Sequence, residues 1–315
     1  MKIFDFNWFE LKSEEPLALT IGTFDGVHKG HQSILKSVVE KAHQKGLKSA
    51  ILTFSNHPRL LLNPHAEGIE ILQTAKEKLS VFEEVGIDMV FYLDLLPGIF
   101  DFEAHRFVEE IIIEKLQAQF VCIGYDHRFG KNRGGDIHLL KQFQSNFEVL
   151  QIPVLEEEAI AISSTRIREA LRDGKVQEAN ALLGRKYPLT GQVIHGNKWG
   201  RTIGFPTANI QLDHPQKLIP KVGIYASEVY LPSFKKSFLG MLYIGYRTGL
   251  DGQEKRIEVH LFDFDEEIYG QEIQVQLNAF IREDQVVTSL SELIPLLDKD
   301  KQNVLEFFAK QNFVA

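Results

Sequence analysis

Between residues 17 and 152, short and densely apolar runs alternate with longer stretches in which apolar residues return at every third or fourth position. The short runs predict strands at 17–21, 48–54, 88–93, 120–123 and 148–152. The longer ones predict helices at 33–45, 74–85, 103–116 and 137–147, each laying one apolar stripe on a sheet. Strand, helix, strand again is the rhythm of a parallel sheet with crossover helices. The first part of the chain is therefore expected to be a doubly wound α/β domain that binds its ligand beyond the carboxyl ends of the strands.

After residue 152 the rhythm changes. Ser163-Ser164-Thr165-Arg166-Ile167-Arg168 sets hydroxyl caps before helix formers, so a helix should start there. A second short helix should cover 176–183 until Gly184 stops it. From Pro188 onward, strand-like segments at 189–195, 226–230, 238–244, 256–262 and 272–280 are separated by Gly and Pro, the spacing of a small antiparallel β-barrel. An amphipathic stretch at 290–308, interrupted at Pro295, should pack on it as helix. Two domains result, 1–184 and 185–315, and neither contains a repeat of fixed period.

Composition mainly excludes. A length of 315 residues suits two units of about 150, and 44% apolar with 25% charged residues rules out collagen-like, mucin-like and largely disordered chains. The net charge of −8 divides into −7 over 1–184 (20 basic, 27 acidic) and −1 over the remainder. Neither half is basic, which argues against a nucleic-acid partner and against a polybasic membrane contact. One cysteine, Cys122, excludes an intrachain disulfide and a Cys-rich zinc site, and is expected to be an inert buried strand residue. Charge interrupts the N-terminus too early for a signal peptide, and no run of 18 apolar residues occurs, so a cytoplasmic location away from membranes is expected.

The densest chemical signal is Gly22-Thr23-Phe24-Asp25-Gly26-Val27-His28-Lys29-Gly30-His31, between the first strand and the first helix. Its glycines let backbone approach a ligand, and the helix start beyond offers unpaired N–H groups suited to phosphate. The spacing matches neither GxGxxG nor GxxxxGK[ST], so hydride transfer and P-loop hydrolysis lose support. His28 and His31, three positions apart, can point the same way and donate to phosphate oxygens as charge builds. Metal ligation and ordinary surface histidines remain open, although no third ligand stands at a familiar spacing.

This stretch resembles the HxGH motif of nucleotidylyltransferases, and Ser163 to Arg168 resembles their ISSTxxR-type signature. With Gly204-Phe205-Pro206-Thr207-Ala208-Asn209 further on, the ordered set resembles the bacterial bifunctional riboflavin kinase/FMN adenylyltransferases, the FAD synthetases, over nearly the whole chain. The resemblance implies adenylyl transfer from ATP to FMN in the first domain, giving FAD and pyrophosphate. It implies that His28 and His31 steady the triphosphate, that Gly22, Thr23, Phe24 and Gly30 shape the ATP pocket, and that Ser164, Thr165 and Arg168 hold the departing phosphates. Thr53-Phe54-Ser55-Asn56-His57-Pro58 and Gly124-Tyr125-Asp126-His127-Arg128-Phe129-Gly130 resemble the family's flavin-side loops, where His57, Pro58, Asp126 and Arg128 would meet FMN or the nucleotide. His127 stands where relatives often carry Phe.

For the second domain the resemblance implies phosphorylation of riboflavin by ATP. Gly200, Arg201, Gly204, Phe205, Pro206 and Arg282 would frame ATP and flavin, and Thr207 and Asn209, hard oxygen donors, would hold Mg²⁺. Glu258, matching the family's acidic position, would take the proton of the riboflavin hydroxyl. Period-2 alternation sets Glu258 and His260 on one strand face, opposite Ile257, Val259 and Leu261; His260 is read as structural. Two departures mark this half: Tyr243-Ile244-Gly245-Tyr246-Arg247-Thr248 where relatives show Asn-Ile-Gly and then Pro-Thr, and Val286-Val287 where Lys-Phe is usual. They keep open a monofunctional adenylyltransferase with a flavin-binding barrel. A flavin or nucleotide sensor is the other alternative, which retention of His28, His31, Thr207, Asn209 and Glu258 together speaks against.

Overall fold

The computed structural model describes residues 1–4, 13–62, 68–93, 98–157, 160–196, 199–247, 254–287 and 289–312. Thr248, the end of the first departure, lies outside them. The chain divides into two compact units, Met1–Ser164 and Thr165–Ala315, while the sequence pattern sets its boundary at Gly184.

In the first unit β1 (Lys2–Phe4), β2 (Leu17–Ile21), β3 (Lys48–Thr53), β4 (Met89–Tyr92), β5 (Ala118–Gly124) and β6 (Glu148–Ile152) form one parallel sheet in the order β1-β4-β3-β2-β5-β6. Between them run α1 (Lys29–Lys45), α2 (Pro58–Leu62), α3 (Ala75–Val85), α4 (Ala104–Arg106, continued by a π-helix over Phe107–Lys115) and α5 (Ile137–Gln142). The apolar runs are continuous because both faces are covered. Leu17, Leu19 and Ile21 pack with Phe107, Ile111 and Leu140 on one face. On the other, Ala18, Phe120 and Cys122 meet Ile34, Val38 and Ala42 of α1, and Ile51 and Val90 meet Val81 and Phe82 of α3. Burial pushes the Cys122 thiol up to about 12, so it is inert as expected.

From β2 the chain builds outward through β3 to β4, then returns to the other side of β2 for β5 and β6. The carboxyl ends of β2 and β5 therefore flank the point where winding reverses, which is where open α/β sheets bind ligands. The expected strands appear within two residues of their predicted ends; β1 was not predicted. Helix α1 starts at Lys29 rather than 33 because His28 caps it, and α5 stops at Gln142, short of 147. Two short antiparallel strands, β7 (Glu156–Glu157) and β8 (Ile160–Ala161), precede α6 (Ser164–Arg172).

In the second unit α7 (Val176–Leu183) leads into a closed antiparallel barrel of β9 (Tyr187–Ile194), β10 (Ala208–Leu212), β11 (Gly223–Leu231), β12 (Lys236–Arg247), β13 (Glu254–Leu261) and β14 (Glu272–Arg282), joined in the order β10-β13-β12-β11-β14-β9. A single turn, α8 (Trp199–Thr202), lies between β9 and β10. Asn180 ties α7 to the barrel, donating to the Leu277 carbonyl at 2.8 Å and accepting from the Tyr187 N–H at 2.8 Å. Strand β10 is not among the expected strands, yet it closes the barrel by pairing with both β9 and β13. Helix α9 (Leu290–Asn312) runs through Pro295 instead of breaking there. Its Val304 and Phe308 join Ile224, Ala226, Met241 and Phe205 in a cluster on the outer barrel face.

Candidate active sites

The loop from Gly22 to His28 leaves β2 at the reversal point. Phe24, Gly26 and Val27 have φ of 50°, 85° and 34°, and two of these three carry side chains, so the surrounding structure must hold the backbone in place. Asp25 supplies much of that hold. Its buried Oδ1 accepts the N–H groups of Leu72 at 2.9 Å and Gln73 at 3.3 Å, and its carbonyl accepts the Ser164 hydroxyl at 2.8 Å. The Gln32 side chain donates to the Val27 carbonyl at 2.9 Å.

His28 caps α1, its Nδ1 accepting the His31 N–H at 3.3 Å. A ring nitrogen that accepts cannot carry the proton, so the proton of the neutral ring sits on Nε2. The His31 ring stacks on that of His28 with centroids 3.7 Å apart and planes 16° off parallel, and Phe24 packs edge-on against His31 at 5.3 Å. Gly30 passes beneath the His28 ring. The two imidazoles thus lie side by side, as the sequence spacing suggested.

Two further loops reach the same sheet edge, because they follow β3 and β5. Thr53 donates to the Thr23 carbonyl at 3.5 Å, and the buried Lys78 donates to the Phe54 carbonyl at 2.7 Å, which fixes the approach to His57 and Pro58, where α2 begins. After β5, Asp126 is exposed and Arg128 pairs with Asp136. Asp136 also caps α5 through the N–H groups of His138 and Leu139; the Leu139 bond foremost, with Arg128 helping, holds this carboxyl below the usual range. His127 is pushed down to about 4 by burial, and its buried Nε2 has no hydrogen-bond partner among the described residues. Ser164 meets Asp25 as above. Thr165 and Arg168 follow on α6, in the second unit.

In the barrel, Glu258 stands directly opposite Asn209 on β10 and Tyr243 on β12, so the three side chains share one face. Oε2 of Glu258 accepts the Thr207 hydroxyl at 3.2 Å and Oε1 accepts from Arg256 at 3.2 Å, two bonds that set the plane of the carboxylate. Asn209 lies tight against Gly196: a Cβ there would stand 2.1 Å from Nδ2, so any larger residue would push the Asn209 amide aside. The Gly200 carbonyl accepts the Phe205 N–H at 2.8 Å, folding the bend that holds Arg201 and Gly204. His260, read as structural, has a definite task. Its Nδ1 lies 2.8 Å from the Pro206 carbonyl and its ring meets Phe205, so it fixes the backbone just before Thr207. Burial lowers its pKa.

An open groove of about 530 Å³, counting its mouth, is lined by Arg201, Pro206, Thr207, Leu261, Phe264 and Tyr269, among others. Arg201 reaches across to Glu267 at 3.0 Å. Arg282 grips the buried Asp300 of α9 with two bonds, at 2.7 and 2.6 Å, so its guanidinium joins β14 to the helix. The Tyr243 hydroxyl donates to Asp284 at 3.0 Å, and burial first, then Asp284 and Glu258, raises its pKa. Asp25, Arg256 and Tyr243 were missed by sequence reasoning as site-building residues. Glu258 is singled out by the family resemblance, and the same period-2 alternation sets Arg256, two positions before it, on the same strand face.

A paired-histidine loop at the reversal point of a parallel sheet, and a barrel face that gathers Thr, Asn and Glu beside a groove, define a protein with two separate nucleotide-handling units. Comparison with known proteins agrees with this. The FAD synthetase family model matches residues 10–166 and the riboflavin kinase model residues 183–308. A bifunctional riboflavin kinase/FMN adenylyltransferase of Listeria monocytogenes is 37% identical over 294 residues, covering 93% of this chain and 92% of its own. That of Escherichia coli is 35% identical over 297 residues, 94% of each. A solved structure from Streptococcus pneumoniae, titled a macrolide-efflux protein, superposes with a TM-score of 0.86 at 31% identity over 96% of this chain and 97% of its own. Among the described residues here, no helix is long and apolar enough to cross a membrane. The chain belongs to the bifunctional riboflavin kinase/FMN adenylyltransferase family and is an enzyme with both activities, using riboflavin, FMN and ATP.

Proposed function

We propose that FAD forms at the Gly22–His31 loop. An oxygen of the FMN phosphate attacks the α-phosphorus of ATP, and the bond to pyrophosphate breaks. The attacking group is already an anion, so no proton need be removed and catalysis is positioning plus charge stabilisation. His28, through Nε2–H, and His31 steady the triphosphate. Gly22, Thr23, Phe24 and Gly30 shape the ATP pocket; Ser164, Thr165 and Arg168, at the start of α6, serve the phosphates that leave. His57, Pro58, Asp126 and Arg128 meet FMN or the nucleotide.

Riboflavin phosphorylation belongs to the barrel. Its terminal hydroxyl is neutral, so Glu258 takes the proton as the oxygen attacks the γ-phosphorus of ATP and ADP leaves. Gly200, Arg201, Gly204, Phe205, Pro206 and Arg282 frame the ATP and flavin sites. Thr207 and Asn209 would hold Mg²⁺, which would neutralise charge on the nucleotide phosphates; hard oxygen donors beside a carboxylate suit that ion. We assign 1–184 to the adenylyltransferase and 185–315 to the kinase, and the enzyme to the cytoplasm, where its ATP is supplied.

The observation that supports this reading best is that each unit gathers its own set: His28 on His31, and Thr207 and Asn209 on Glu258. Pure protein given riboflavin, ATP and Mg²⁺ should yield FMN and FAD by chromatography. The His28→Ala/His31→Ala double variant should make FMN but no FAD. Equal loss of both products in a folded variant, or no product from the wild type, sinks the reading.

A further inference from the structure

We propose that Tyr243 is a specificity-determining residue of the kinase reaction: it receives the alcohol to be phosphorylated, on the flank of Glu258 opposite the nucleotide. This rests on the reading that Glu258 is the base of the barrel site. Strand pairing sets one row of side chains across five strands, Asn209, Glu258, Tyr243, Ile224 and Arg282, each directly opposite the next, so all five share a face. Glu258 therefore has β10, with Asn209 and nearby Thr207, on one flank and Tyr243 of β12 on the other. The groove runs along the first flank, past Arg201, Pro206 and Thr207, and no described residue of β12 lines it. In phosphoryl transfer the attacking and leaving oxygens stand roughly in line across the phosphorus. With the nucleotide on the β10 flank, the attacking hydroxyl comes from the β12 flank, where Tyr243 is the next side chain in the row.

The surroundings of Tyr243 hold it there. Its phenol lies over Gly245, where any Cβ would collide with the hydroxyl, and its ring packs against the cluster beneath α9. The hydroxyl donates to Asp284 at 3.0 Å, and burial above all, with the Asp284 and Glu258 charges, keeps the phenol protonated. A carboxylate only accepts, so the phenol proton points at Asp284 and the lone pairs of the oxygen are left to accept from a ligand. The chain of riboflavin that ends in the reacting hydroxyl carries further hydroxyls, each of them a donor. A fixed phenol oxygen in the same row as the base thus favours a polyhydroxylated chain over a plain alkyl alcohol. Tyr243 also opens the first departure from the relatives' pattern, so this selection belongs to a residue particular to this chain.

FMN formation by the full-length protein with Mg²⁺ and ATP separates the two flanks. Tyr243→Phe keeps the ring and drops the acceptor, so the KM for riboflavin should rise about three- to tenfold, the worth of one hydrogen bond, while the KM for ATP stays within about twofold. Asp284→Ala, at an exposed position, takes away the anchor of the phenol and should raise the riboflavin KM by roughly two- to threefold. A merely structural tie between β12 and the segment after β14 would lower the melting temperature and move neither KM selectively. The proposal is overturned if Tyr243→Phe leaves the riboflavin KM unchanged, or if the ATP KM rises as much as the riboflavin KM. If Tyr243→Phe does not fold, Asp284→Ala decides by the same split. Glu258→Gln is run alongside: FMN formation at the wild-type rate in that variant removes the underlying reading. Its loss there, combined with an unchanged riboflavin KM in Tyr243→Phe, removes only the role given to Tyr243.

Discussion

Both units use ATP, yet they are built for opposite starting points. On the proposed reading the α/β unit receives a nucleophile that is already charged and answers with donors, two stacked imidazoles at a helix start. On the same reading the barrel receives a neutral hydroxyl and answers with an acceptor, Glu258, oriented by Thr207 and Arg256. The difference teaches that the protonation state of the nucleophile, more than the identity of the nucleotide, decides which side chains a site must carry.

The sharpest way to break this comparison is Glu258→Gln. It removes the base and keeps the shape, so FMN formation should drop by about two to four orders of magnitude, while FAD formation from supplied FMN stays at wild-type rate; parallel assays from riboflavin and from FMN read both. A fall in both rates would mean that the two units do not work independently. Next in size is Gly196→Ala, which puts a Cβ where Asn209 already lies, at 2.1 Å from Nδ2. A displaced Asn209 should cost roughly ten- to a hundredfold in riboflavin phosphorylation, since small misplacements are expensive at a reacting centre, and the melting temperature, followed by circular dichroism, should change little.

The smallest effect compares two histidines, one in each unit. His260 has the Pro206 carbonyl as partner, while Nε2 of His127 has none. Because the folded pKa of His127, about 4, lies below its unfolded value near 6.5, the neutral ring stabilises the fold fully above pH 6.5. That contribution is lost as pH falls from 6.5 to 4, because the unfolded chain takes up the proton first. His127→Phe should flatten this part of the pH–stability curve and, by removing a buried group without a partner, raise stability near pH 6 by about 1 kcal/mol. Thermal melts of both forms at pH 5 and pH 8 check it.

Much of the architecture was legible because it rests on local pattern. Apolar runs buried on both faces announced β2 to β6, and β11 to β14 were marked by Gly and Pro between them. Strand β10 was hidden, since Ala208–Leu212 is only five residues and follows a Gly/Pro-rich bend that also reads as loop. Strand β1 is three residues long and was lost for the same reason. Pro295 misled in the other direction, because packing of α9 on the barrel outweighs one missing backbone bond. Of the candidate site residues, His28, His31, Thr207 and Asn209 could be selected from motifs and Glu258 from the family resemblance. Asp25 could not be given its task, because its partners Leu72, Gln73 and Ser164 lie 47 to 139 residues away in sequence.

The sequence by itself determined the order of elements, the two kinds of unit and the chemical types in each site, because hydrophobic period and motif spacing act over a few residues. Only the tertiary structure decided which of those groups meet. The proton of His28 is directed to Nε2 by its cap on α1, Arg282 meets Asp300 of α9, and Glu258 is fixed in plane by residues on either side of a strand pairing. Hydrogen bonds depend on distance and angle, and for segments far apart in the chain these are set by how strands pair and helices pack.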